Sequence, residues 1–220
     1  MRALTREVDA ELERCGRRAG SVTIVGVTKK QPVELVRAAI DAGLRDIGEN
    51  YVQEARSKIA DLPPVRRHFI GHFQTNKAKA VAELFDVVQS VDRIEAGRAL
   101  AAAACGLGKD LAVLLQVNVS PTERFGCDPG AAAELAEALR ALPGLRLDGL
   151  MAIGPLTTDR TEIARAFELA AKTFDRIGGS TLSIGMSGDW REAVRAGSTM
   201  IRIGEALFGP RQYPEQRGPS

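Results

Sequence analysis

Three side chains and two glycine turns in this 220-residue chain have the types and spacing to do chemistry together. Lys29 ends the apolar run 22–28, and the helix-start signal Gln31-Pro32-Val33-Glu34 follows, with Pro32 suited to a first helical turn. A lysine at that point is poorly placed for packing and well placed as an amine nucleophile. If 22–29 is a strand, neighbouring residues face opposite sides. Lys29 then shares a face with Val25 and Val27, and Lys30 points away. Ser183-Ile184-Gly185-Met186-Ser187-Gly188-Asp189 ends another apolar run with glycines and a hydroxyl before a helix. Met200-Ile201-Arg202-Ile203-Gly204-Glu205-Ala206 repeats that design one strand later. The N–H groups at such turns suit a phosphate. The plain alternative is two ordinary strand-to-helix turns, with Ser187 or Asp189 as an N-cap.

An amine beside a phosphate cradle is equipped to form a Schiff base with a phosphorylated aldehyde, and pyridoxal 5'-phosphate is the cofactor that fits. Arg202 would then lie near the pyridine nitrogen. Arginine stays protonated in proteins and can only donate, so the ring nitrogen would remain unprotonated and be a weak electron sink. This argues against transaminase-like chemistry.

Such residues need a scaffold that gathers strand ends. Strands are expected near 22–29, 45–48, 67–71, 86–90, 111–118, 146–153, 181–185 and 199–203. Helices are expected near 33–42, 52–60, 78–84, 94–104, 131–141, 162–177 and 190–196. Leu4, Val8 and Leu12 recur at helical spacing, so an extra N-terminal helix within 1–20 precedes the first strand. Mostly continuous apolar strands are buried on both faces and therefore parallel. Eight such units predict one α/β domain over 1–220, a (β/α)8 TIM barrel with phosphate sites after strands seven and eight. An open doubly wound sheet is the rival. The segment 211–220, rich in Pro, Gly, Gln and charge, reads as a flexible tail.

Composition narrows the function. A net charge of +2 argues against nucleic acid as a partner, and no apolar run approaches a membrane span. Cys15, Cys105 and Cys127 are scattered and odd in number, which favours a reducing cytoplasm over a disulfide framework. With two histidines, His68 and His72, a His-rich metal site is not expected.

At these residues the chain resembles the pyridoxal phosphate homeostasis protein family, which is similar to the N-terminal barrel of bacterial alanine racemase. The resemblance rests on Val27-Thr28-Lys29 with Pro32, on Gly48-Glu49-Asn50-Tyr51-Val52-Gln53-Glu54, and on the run from His68 to Lys77. It continues through Gln89-Ser90-Val91-Asp92-Arg93, Gly149-Leu150-Met151-Ala152-Ile153, Gly185-Met186-Ser187-Gly188-Asp189, the run from Gly197 to Gly204, and Phe208-Gly209. It implies that Lys29 is the pyridoxal-phosphate lysine, that Met186, Ser187, Gly204 and Glu205 surround the phosphate, that Arg202 faces the pyridine nitrogen, and that Asn50 lies near the cofactor. The favoured reading is a binding protein that holds pyridoxal phosphate and supplies or buffers it, with apo-enzymes as the recipients, rather than an enzyme; with no dimerising domain in view, a monomer is the default expectation. Phe73 replaces a usual Leu, Gly188 a frequent Asp, and Arg124 a frequent Lys. If that lysine helps to move cofactor, Arg124 must act differently, because it cannot form a Schiff base.

Two enzyme readings compete. An amino-acid racemase needs a second base across the cofactor, and Tyr51 and Tyr213 are the chain's two tyrosines, neither well placed. A sugar-phosphate aldolase would use Lys29 but would have no need of Arg202.

Overall fold

Apolar strands alternate with amphipathic helices, and backbone pairing closes the strands into a ring. The computed structural model describes residues 1–209; the expected tail at 211–220 lies outside the described residues. Helix α1 (Arg2–Arg14) leads into β1 (Thr23–Val27), α2 (Val33–Asp41), β2 (Asp46–Glu49), α3 (Val52–Ile59) and β3 (Arg66–Phe69). A short 3-10 turn at Thr75–Lys77 precedes α4 (Ala78–Leu84), β4 (Val87–Val91), α5 (Ile94–Gly106), β5 (Leu111–Val117) and α6 (Ala132–Arg140). The chain continues through β6 (Leu145–Ala152), α7 (Arg160–Ile177), β7 (Thr181–Met186), α8 (Trp190–Arg195), β8 (Met200–Ile203) and α9 (Glu205–Phe208). All neighbouring strands pair in parallel and β8 returns to β1, so the open-sheet alternative is excluded.

Every residue of β4, β5 and β8 is buried, which is why these strands are mostly apolar, with Gln89, Ser90, Gln116 and Arg202 as the buried polar exceptions. Alternation divides them into two layers. Ile24, Ile201 and Ile203 face outward and pack with Leu4, Val8 and Leu12 of α1 and with Trp190 and Val194 of α8. Thr23, Val25 and Val27 on β1, and Met200 and Arg202 on β8, therefore face the barrel interior. Val25 pairs with Asp46 on one side and Arg202 on the other.

Three boundaries differ from expectation for local reasons. The N-terminal helix ends at Arg14, because Gly16 takes a left-handed φ of 67° and the Arg17 N–H returns to Leu12 O at 2.8 Å. That is a Schellman cap. Strand β1 ends at Val27, not at Lys29. Beyond it Thr28 opens a turn whose carbonyl accepts the Gln31 N–H at 3.1 Å. Strand alternation therefore stops short of Lys29 and Lys30. Pro32 is the N-cap of α2, with φ −58° and ψ 143°, rather than a residue of its first turn.

Candidate functional site

The turn carrying Lys29 is fastened from behind. Thr28 is fully buried, and its hydroxyl donates to Glu49 Oε1 at 2.6 Å. Its carbonyl accepts from Lys58 Nζ at 2.7 Å, and Lys58 also bonds Glu49 and Glu54 at 3.1 and 2.6 Å. The Lys30 N–H donates to the Glu54 carboxylate. Lys30 adopts a left-handed φ of 59°, uncommon for a residue with a Cβ. These bonds to α3 hold that conformation. Lys29 is half-buried and Lys30 exposed, so the structure separates the two amines by turn geometry rather than by strand parity. Burial pushes the Glu49 carboxyl above its ordinary value, against the pull of Thr28 and Lys58.

Next to this turn, β7 and β8 bring their ends together. Gly185 has φ 97°, and a Cβ there would come within 2.5 Å of Ala193 Cβ on α8. Only glycine lets the chain turn while α8 lies so close. Ser187 follows, and its Oγ accepts the Ala206 N–H at 3.3 Å, joining the turn after β7 to the turn after β8. A Cβ on Gly204 would meet only Val27, at 3.6 Å or beyond, so this glycine borders the end of β1 and leaves open space. The helices that follow have six and four residues, so an anion would meet turn N–H groups rather than a long helix dipole. Asp189 is buried, and it accepts the Met186 N–H at 2.5 Å rather than capping its own helix. Burial raises its carboxyl above the ordinary value, although the Met186 bond and the Arg202 charge pull it down.

Arg202 is buried in the floor. It donates to Ser183 O and Oγ at 2.7 and 2.6 Å and to Ala152 O at 2.8 Å. Burial lowers its pKa to about 10, which still leaves it protonated at neutral pH. Asn50 comes from the end of β2. Gly71 fixes it by close approach, since a Cβ at Gly71 would fall 2.1 Å from Asn50 O. Asn50 Oδ1 is a buried acceptor without a hydrogen-bond partner.

The predicted residues thus converge from four strand ends. Lys29 follows β1, Asn50 follows β2, Met186 and Ser187 end β7, and Arg202, Gly204 and Glu205 come from β8. Glu205 is exposed. A cavity of 640 Å³ opens at Asn50, which alone of the predicted site residues lines it, and His72, Gln116, Asn118, Arg124 and Phe125 form other parts of its wall. Sequence reasoning missed much of its wall. The His72 and Phe125 rings stack 3.9 Å apart at 15°, a contact between two strand ends that no local pattern announces. Arg124 donates to Gly154 O at 3.2 Å across the same wall. An unpartnered acceptor, an open glycine and two bonded turns fit a phosphorylated, aldehyde-bearing ring. Among the described residues no helix is long and apolar enough to cross a membrane.

Comparison with known proteins gives the arrangement relatives. The family described as "Alanine racemase, N-terminal domain" matches residues 5–212. The pyridoxal phosphate homeostasis protein of Pseudomonas aeruginosa is 45% identical over 203 residues, covering 90% of this chain and 88% of the relative. That of Escherichia coli K12 is 39% identical, covering 96% and 94%. Among solved structures, PipY of Synechococcus elongatus with PLP bound is 35% identical with a TM-score of 0.81, covering 92% of this chain and 100% of that one. Alanine racemase of Clostridium difficile shares the fold at a TM-score of 0.75 and 16% identity, over 96% of this chain and 57% of that one.

Proposed function

The chain belongs to the pyridoxal phosphate homeostasis protein family, and from that premise we propose that it binds pyridoxal 5'-phosphate at Lys29 and holds it for release to apo-enzymes, without substantial catalysis. One observation carries the reading: a half-buried lysine, a buried arginine and two linked glycine turns meet at one barrel mouth. When bound, the cofactor supplies an electrophilic aldehyde and an electron-accepting ring. Lys29 offers the amine that holds the aldehyde reversibly as a Schiff base, and another amine can displace it. Ser187 and the N–H groups of the turns around Met186, Gly204 and Glu205 receive the phosphate, apart from the Met186 N–H itself, which Asp189 holds. Asn50 Oδ1 offers an acceptor to the ligand. Arg202 donates toward the pyridine nitrogen and has no proton-accepting form at neutral pH. The ring nitrogen therefore gains no proton from the protein, which limits carbanion stabilisation. A racemase would also need a second base. Tyr51 is 57% exposed at the start of α3, in no position enclosed enough to serve.

The test is chemical trapping. The protein loaded with pyridoxal phosphate should absorb in the near-visible, and borohydride should fix the label on the peptide bearing Lys29. Label on Lys30, or a chromophore that survives in Lys29→Ala, would overturn the assignment.

A further inference from the structure

Below the mouth, the barrel interior holds a continuous file of polar side chains. Asp46 opens β2 at the end opposite the mouth, and its Oδ1 lies 2.9 Å from His68 Nε2. His68 Nδ1 lies 2.9 Å from Gln89 Nε2. Ser183 Oγ lies 2.7 Å from Gln89 Oε1, and Arg202 Nη1 lies 2.6 Å from Ser183 Oγ. His68, Gln89 and Ser183 are wholly buried.

The chemistry of the first group sets the rest. A guanidinium only donates, so the Ser183 hydroxyl accepts there and gives its own proton to Gln89 Oε1. Gln89 must then turn its amide NH2 toward His68, and that nitrogen also meets Met200 Sδ at 3.2 Å. His68 Nδ1 must therefore be bare and Nε2 must carry the proton, which Asp46 accepts. Each donor points the same way, from the guanidinium to the carboxylate. The hydrogen-bond partners of Arg202 are neutral oxygens: the backbone carbonyls of Ser183 and Ala152, and the Ser183 hydroxyl through which this file reaches it.

We propose that Asp46, His68, Gln89 and Ser183 are positioning residues for Arg202, fixing it as a one-way donor to the ring atom that faces it. This rests on the pyridoxal phosphate reading above. The bland alternative is a polar file that merely ties β2, β3, β4, β7 and β8 together. The two differ in what happens to a ligand lacking the ring nitrogen.

Two measurements decide it. In the ligand-free, 15N-labelled protein, His68 should be neutral with its proton on Nε2. A ring protonated on Nδ1, or on both nitrogens, would overturn the proposal. In binding titrations the protein should prefer pyridoxal phosphate over its 1-deaza analogue by about tenfold or more, one oriented charged hydrogen bond being worth roughly 1.4 kcal/mol or above. Gln89→Met keeps the length but removes the bonds, and should narrow that preference to about threefold or less. Asp46→Ala should narrow it too, and Asp46→Asn, which keeps an acceptor for His68, should restore it. Because Asp46 sits at the barrel's edge, the Asp46 pair carries the comparison if Gln89→Met fails to fold. A preference unchanged in Gln89→Met or Asp46→Ala would leave the file a structural tie and end the proposal. If the wild type binds neither ligand, the cofactor reading fails and the proposal with it, whatever tautomer His68 shows.

Discussion

Ser187 and Gly204 divide the proposed phosphate seat between bonding and space. Ser187 Oγ links the two turns through the Ala206 N–H, and its proton is left to donate. Losing a hydrogen bond to a charged group costs roughly 1.5–3 kcal/mol. Ser187→Ala should therefore weaken pyridoxal phosphate about ten- to a hundredfold, measured by titration of the chromophore. Gly204 acts by absence. A side chain there meets Val27 at ordinary contact distance, so Gly204→Val should leave the melting temperature nearly unchanged while excluding the phosphate. Wild-type binding by that variant would put the phosphate elsewhere. At this scale the residues with unusual chemistry were legible: a lysine and an arginine stand out in apolar strand ends. Asp189 was readable as an N-cap, but only the fold turns its carboxylate back onto the Met186 N–H. His68 and Gln89 entered the family resemblance, but their pairing was not legible, because their partners lie on other strands.

Between elements, α1 is held to the barrel by more than its apolar stripe. Glu11 is 1% exposed, and it accepts from Arg14 at 2.9 Å and from Arg195 on α8 at 2.7 Å. Arg17 adds bonds to Val194 O and Ser198 O at 2.8 Å each. Burial pushes the Glu11 carboxyl up, but the hydrogen bonds and charges of Arg14 and Arg195 outweigh it and hold it below 4.5. A carboxyl with a lowered folded pKa contributes fully above its unfolded value and loses that contribution as pH falls through the folded one. Glu11→Ala should thus cost about 1–2 kcal/mol at neutral pH, and the gap to wild type should close in acid. Denaturant melts at several pH values check this. A gap independent of pH would make the effect one of packing alone. Leu4, Val8 and Leu12 were legible from their helical period. Glu11 was not, because a charged residue on a predicted helix reads as solvated until α8 covers it.

The whole molecule stakes everything on closure: β8 pairing with β1 is what brings Arg202 and Gly204 beside the Lys29 turn. A ligand gripping several strand ends should stabilise the closed state by mass action, about 2.7 kcal/mol at a hundredfold excess over its Kd. Pyridoxal phosphate should therefore raise the melting temperature, and Lys29→Ala should lose most of that rise. Loaded protein should also restore activity to a pyridoxal-phosphate-dependent apo-enzyme, while racemase assays across the common amino acids stay at background. Rapid racemisation of one amino acid, lost in Lys29→Ala, would make the protein an enzyme.

What this sequence determined by itself was everything carried by period and residue type. Eight strand-length runs, most of them apolar, interleaved with helical stripes specify parallel strands buried on both faces, and glycine, lysine and arginine at their ends mark where chemistry can sit. Tertiary structure decided the rest. The end of β1 is set at Val27 because α3 supplies Lys58 and Glu54 to the following turn, through contacts that span 30 and 24 positions of the chain. The stacking of His72 on Phe125 and the one-way file from Arg202 to Asp46 likewise join strands remote in sequence. Period and type are local properties of the chain. Which polar groups face each other across a barrel depends on strand tilt and closure, and these exist only once the ring is formed.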